Sequence, residues 1–60
     1  MTAYQRHSRE RHLRTLRRLN DEYRRVIEFW TLRGRPGEAD SLRHRVRENE
    51  ARIRHLEASK

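Results

Sequence analysis

Apolar residues recur along the first half of the chain at alternating intervals of three and four positions. The members of this pattern are Leu16, Leu19, Tyr23, Val26 and Trp30. The second half repeats the spacing, with one asparagine among its members: Ala39, Leu42, Val46, Asn49, Ile53 and Leu56. This spacing is typical of helices that pack against each other along one face, as in coiled coils. The pattern therefore predicts two helices.

One break separates the two patterns, and it holds every glycine and proline of the chain. It reads Gly34-Arg35-Pro36-Gly37. Glycine suits the left-handed residue that follows a helix, and proline suits the first position of the next helix. We therefore predict helix one over about 3–33, a turn over 34–37 and helix two over about 36–58.

The start of helix one has two interpretations. Thr2 and Gln5 have the spacing of a capping box, which favours an early start. The first dozen residues carry few apolar anchors, so a frayed start near Ser8 is the alternative.

A short turn makes two consecutive helices antiparallel neighbours, so we predict an all-α, antiparallel two-helix hairpin as a single domain, 1–60. Folding about the turn pairs Trp30 with Ala39, Tyr23 with Val46, Leu16 with Ile53, and Leu13 with Leu56. The same register sets Asn49 level with Asn20. The two asparagines either hydrogen-bond across the helix pair or reach solvent at its edge.

Self-association is expected because the chain has little apolar material with which to cover itself. Only 32% of its 60 residues are hydrophobic, and cysteine is absent. Proteins of this size usually add disulfides, metals or oligomerisation to a small core. The segment 26–32 is apolar on nearly all sides of a helix, so a surface other than helix two must cover part of it. We predict a homodimer that forms a four-helix bundle; a higher oligomer, or a hairpin docked on a larger protein, is the alternative. The candidate interface residues are Leu13, Leu16, Tyr23, Ile27, Phe29, Trp30 and Leu32.

The charge is strongly positive and unevenly distributed. The net charge is +7, which is typical of proteins that bind polyanions. Residues 1–20 hold six arginines and one acid, residues 21–40 four arginines and five acids, and residues 41–60 six cations and three acids. The end of the hairpin opposite the loop, called here the open end, is therefore basic, whereas the loop end is nearly neutral.

Four arginines of helix one, here called the arginine row, fall on one line opposite the apolar face: Arg11, Arg14, Arg18 and Arg25. The row covers about 21 Å at 1.5 Å per residue and could meet several phosphates. The alternative is a solvated surface supported by the i,i+4 pairs Glu10–Arg14 and Asp21–Arg25. Two further arginines, Arg6 and Arg9, lie nearer the open end. Together with the row they give the candidate phosphate contacts: Arg6, Arg9, Arg11, Arg14, Arg18 and Arg25.

Sequence signals for catalysis are missing. The chain has no glycine-rich phosphate loop and no GxSxG or HExxH pattern, and a two-helix hairpin offers no deep pocket. His44 and Glu48 share a helix face, but two ligands do not make a metal site. We expect a protein that is not an enzyme and that uses no cofactor or metal.

Two functions from different classes fit these features. The first is non-catalytic binding of RNA or DNA backbone through the arginines. The second is a protein–protein interaction module, an adaptor, inhibitor or assembly subunit that docks through Phe29, Trp30 and Leu32.

Membrane binding is disfavoured because the largest apolar side chains lie at the neutral end. No run of the sequence is long and apolar enough to span a bilayer, and we expect a cytoplasmic location.

Overall fold

The computed structural model describes residues 2–59, which form two α-helices and no strand. Helix α1 spans Ala3–Leu32 and helix α2 spans Pro36–Ala58. The helices pack side by side in a body of 48 × 14 × 10 Å. The prediction of an all-helical chain with two helices is confirmed for this part of the chain.

A capping box begins α1. The Thr2 hydroxyl accepts a hydrogen bond from the backbone N–H of Gln5 at 3.2 Å, and the Gln5 side-chain oxygen accepts one from the backbone N–H of Thr2 at 3.0 Å. Two N–H groups that lack partners within the helix are thereby satisfied. The helix accordingly begins at Ala3 rather than near Ser8.

The turn between the helices closes α1 with a Schellman motif. Gly34 has a φ of 73°, as its position after a helix predicts. Its N–H donates to the Thr31 carbonyl at 3.1 Å, and the N–H of Arg35 donates to the Trp30 carbonyl at 2.9 Å. Pro36 is the first residue of α2, where its missing N–H costs no hydrogen bond.

The core between the helices is a single narrow layer. Its buried apolar side chains are Leu13, Leu16, Ala39 and Val46. Asn20 lies among them and is 2% exposed. Its amide donates to the Val46 carbonyl at 3.4 Å, and its side-chain oxygen accepts from the Asn49 amide at 3.0 Å. Of the two interpretations of these asparagines, the structure shows the hydrogen-bonded one.

The two glycines of the turn provide a matched test of the backbone. A Cβ added at either Gly34 or Gly37 would meet no atom within 4 Å, so packing does not distinguish them. Only Gly34 has a positive φ, and Gly37 lies within α2. We expect Gly34→Ala to lower the free energy of unfolding by about 1 kcal/mol. Gly37→Ala should raise it by about 0.5–1 kcal/mol because alanine favours a helix. Urea unfolding followed by circular dichroism measures both, and equal effects of the two substitutions would contradict this account.

Candidate nucleic-acid interface

One flank of the hairpin, here called the ion-paired flank, carries a ladder of polar contacts between the helices. Its three rungs are Arg17 to Glu57 at 3.1 Å, Arg24 to Glu50 at 3.0 Å, and Arg43 to Thr31 at 3.4 Å. The rungs lie seven residues apart on both helices, so they recur every two turns along the same edge. The sequence contains this signal, because arginines and glutamates seven apart can be matched in an antiparallel pair. We did not predict this pairing from the sequence.

The opposite flank is apolar. We call it the apolar flank and define it by four residues of α1: Leu19, Tyr23, Val26 and Trp30. Val26 is 41% exposed, and the other three are half-buried. At 100° per residue, these positions lie about 80° around α1 from the buried line of Leu13, Leu16 and Asn20. No ion pair between described residues crosses this flank.

The arginine row lies on the side of α1 that faces away from α2. All four of its residues are exposed. None of them forms an ion pair with a carboxylate in the described part of the chain. Their guanidinium groups are therefore available to an anion from solution, along one continuous helix.

The two acids that could neutralise this row do not pair with it in the structure. The pair Glu10–Arg14 is not formed. Asp21 bonds Arg24 at 3.3 Å instead of Arg25. Neither i,i+4 pair of the alternative interpretation is formed, and Arg24, which lies beside α2, takes Asp21 as a second partner beside Glu50.

The two remaining candidate arginines lie near the open end and differ from each other. Arg6 is exposed and lies on the same side of α1 as the ion-paired flank. Arg9 is half-buried, and its Nη1 donates to the backbone carbonyl of Ser59, directly after α2. A cation beside the C-terminus of a helix is favourable. The structure therefore places Arg9 as a tie between the ends of the two helices.

The loop end combines aromatic rings with arginines. The rings of Phe29 and Trp30 lie 5.1 Å apart with an interplanar angle of 74°. The Arg33 guanidinium lies 4.6 Å from the Phe29 ring centroid, and that of Arg35 lies 5.9 Å from the Trp30 centroid. Leu32 is 82% exposed and Phe29 is 46% exposed, so an apolar spot remains at this end.

The seven candidate interface residues fall into three groups. Leu13 and Leu16 are buried between α1 and α2, so they belong to the core of the hairpin and are not accessible to a partner. Tyr23, Ile27 and Trp30 are half-buried. Phe29 and Leu32 are the exposed members. A partner could reach the last two groups without opening the hairpin.

Other polar groups do not converge on a site. A shallow depression on the outer side of α2 contains an exposed contact between His44 Nε2 and Glu48 Oε1 at 2.7 Å. Within residues 2–59, no group of three or more histidine or carboxylate side chains is arranged to hold a metal ion. Neither α1 nor α2 is long and apolar enough to cross a membrane.

Comparison with protein-family models, with curated proteins and with solved structures gave no match for this chain.

Proposed function

We propose that this protein binds the backbone of RNA or DNA, without catalysis, through the arginine row. One observation carries the proposal: four exposed arginines lie in line on α1, and no described carboxylate pairs with them. A net charge of +7 adds a long-range attraction for polyanions. Arg6 is exposed near the open end but lies off the line of the row, and Arg9 is engaged with Ser59.

Arginine chemistry suits phosphate more than other surface anions. The guanidinium fork can donate two hydrogen bonds to one phosphate group, and arginine keeps its charge at any physiological pH. Contacts of this kind hold a nucleic acid in place but do not read its bases. The proposed activity is therefore recognition of the backbone and its shape.

Salt dependence provides the test. Binding of an RNA or DNA oligonucleotide should weaken steeply with rising salt, since each neutralised phosphate releases counterions. The triple substitution of Arg11, Arg14 and Arg18 by alanine should reduce the log–log slope by about 2–3. Fluorescence anisotropy over a series of salt concentrations measures the slope.

The control is a triple substitution on α2 that removes the same charge, with Arg47, Arg52 and Arg54 changed to alanine. These three residues are exposed and lie outside the row. We expect this control to change the slope by less than about 1. Equal losses in both triples, or no binding at low salt, would refute the proposal.

The second candidate function is a protein–protein interaction module, and the exposed loop end favours it. Phe29 and Leu32 form an apolar spot that the hairpin does not cover. In this alternative the loop end docks into a groove of another protein, as in an adaptor, inhibitor or assembly subunit.

For this alternative, changing both Phe29 and Leu32 to serine should abolish binding to a partner isolated by affinity capture. Titration calorimetry with the purified partner measures the loss, which should exceed tenfold because an apolar anchor is removed. The triple substitution in the row serves as the control and should leave this binding unchanged. A partner bound equally well by the serine variant would contradict the alternative.

We also propose that the chain self-associates as a four-helix bundle through the apolar flank. The support is the half-burial of Leu19, Tyr23 and Trp30 beside the exposed Val26, next to a core with only four buried apolar side chains. Covering these side chains with a second copy would remove apolar surface from water and stabilise both hairpins.

The bundle can be tested by analytical ultracentrifugation at micromolar concentration. We expect a dimer for the unchanged chain and a monomer for Val26→Glu, because a buried, unpaired carboxylate opposes association. Ala51→Glu is the control, since it adds the same charge on an exposed position of the outer side of α2. A folded monomer for the unchanged chain would exclude the bundle.

A further inference from the structure

We infer that the proposed dimer pairs α1 with α1 of a second copy in antiparallel orientation, and that this pairing sets both arginine rows on one face, here called the basic face, which fits double-stranded nucleic acid. This inference rests on the proposed function and deepens it, since it names duplex rather than single-stranded nucleic acid as the ligand.

The residues of the apolar flank are spaced symmetrically along α1. Leu19, Tyr23, Val26 and Trp30 follow one another at intervals of four, three and four residues, a series that reads the same in both directions. A twofold contact requires that if residue i meets residue j, then j also meets i. An antiparallel crossing centred between positions 24 and 25 meets this condition. It sets Leu19 opposite Trp30 of the second copy and Tyr23 opposite Val26.

Positive charge is concentrated at the open end of the hairpin. Residues 21–40 at the loop end hold four arginines and five acids, whereas residues 1–20 hold six arginines and one acid. Antiparallel pairing overlaps the nearly neutral halves and sends the two basic ends in opposite directions. A dimer with both loops at the same end would instead hold two basic ends side by side, which like charges oppose.

The arginine row points away from both the apolar flank and α2. Around α1, the row lies about 120° from the apolar flank and nearly opposite the face that packs on α2, at 100° per residue. A twofold axis perpendicular to both α1 helices keeps corresponding sides of the two helices on the same face of the dimer. Both rows therefore lie together on that face, and the two α2 helices lie on the other. The combined row of four arginines from each copy is about 40 Å long at 1.5 Å per residue.

The symmetry and the length of the basic face match those of a nucleic-acid duplex. The twofold axis stands perpendicular to the basic face, and a duplex backbone has twofold symmetry because its strands run in opposite directions. A single strand has one polarity, so it cannot present the same phosphate arrangement to both halves of the face. A length of 40 Å corresponds to about 12 base pairs at 3.4 Å each. Matching of a protein twofold axis to a duplex twofold axis is common among dimeric DNA-binding proteins.

The orientation of the dimer can be measured with spin labels, because the chain has no cysteine of its own. Ser8 is exposed on α1, and Ser8→Cys introduces one labelling site per copy. The antiparallel crossing puts the two labels about 50 Å apart, whereas a dimer with both loops at one end keeps them within about 20 Å. Electron–electron double resonance reads this distance. A value of about 50 Å supports the inference, and a short one overturns it.

Ligand choice is tested with a duplex of about 12–15 base pairs and one of its strands alone, as RNA and as DNA, at low salt. We expect at least tenfold tighter binding of a duplex, with two protein chains per site. Val26→Glu should remove this preference and leave weak binding to both forms, whereas Ala51→Glu should retain the preference. Equal binding of duplex and single strand by the unchanged dimer would overturn the inference but leave backbone binding intact. The absence of binding to every oligonucleotide would refute the proposed function itself.

Discussion

The narrowness of a two-helix layer governs the rest of this structure. Two helices side by side can enclose only one line of side chains from each, and among residues 2–59 four apolar side chains and Asn20 are buried. Every residue next to that line lies on a flank that water can reach. The chain closes one flank with the ladder of arginines and glutamates and leaves the other apolar. The proposed self-association depends on this difference in polarity between the two flanks.

Polar contacts specify how the two helices align, although each adds little stability. The rungs Arg17–Glu57 and Arg24–Glu50 are exposed, and exposed ion pairs contribute about 0–1 kcal/mol. The Asn20–Asn49 bond is more restrictive, because a shift of one helix along the other would leave a buried amide without its partner. The ladder fixes one register, since each step of seven residues along α1 is matched by a step of seven along α2, and the Asn20–Asn49 bond forms in that same alignment. Such agreement favours a single alignment over a sliding pair of helices.

The arginines of the chain fall into two groups, those bonded within the fold and those that are not. Arg17 and Arg24 pair with acids across the helices, and Arg9 holds the end of α2, so these cations serve the fold. The arginine row points away from the partner helix and serves no contact within the described residues. Positive charge that the fold does not use is the physical basis for a polyanionic ligand. The near-neutral loop end, by contrast, offers apolar side chains rather than charge.

Rules that act over a few residues determined much of this protein from sequence alone. The capping box at Thr2, the left-handed Gly34 and the three-four spacing of apolar residues each depend on neighbours within one or two turns, and the structure shows each of them. The partners of charged side chains were not predictable in the same way. Asp21 has Arg17, Arg24 and Arg25 within reach on its own helix, and only the position of α2 decides that Arg24 lies beside Glu50 and binds both acids. The burial of Asn20 was likewise open until the helices were packed, because a polar side chain at the edge of a helix pair can turn toward either water or its neighbour.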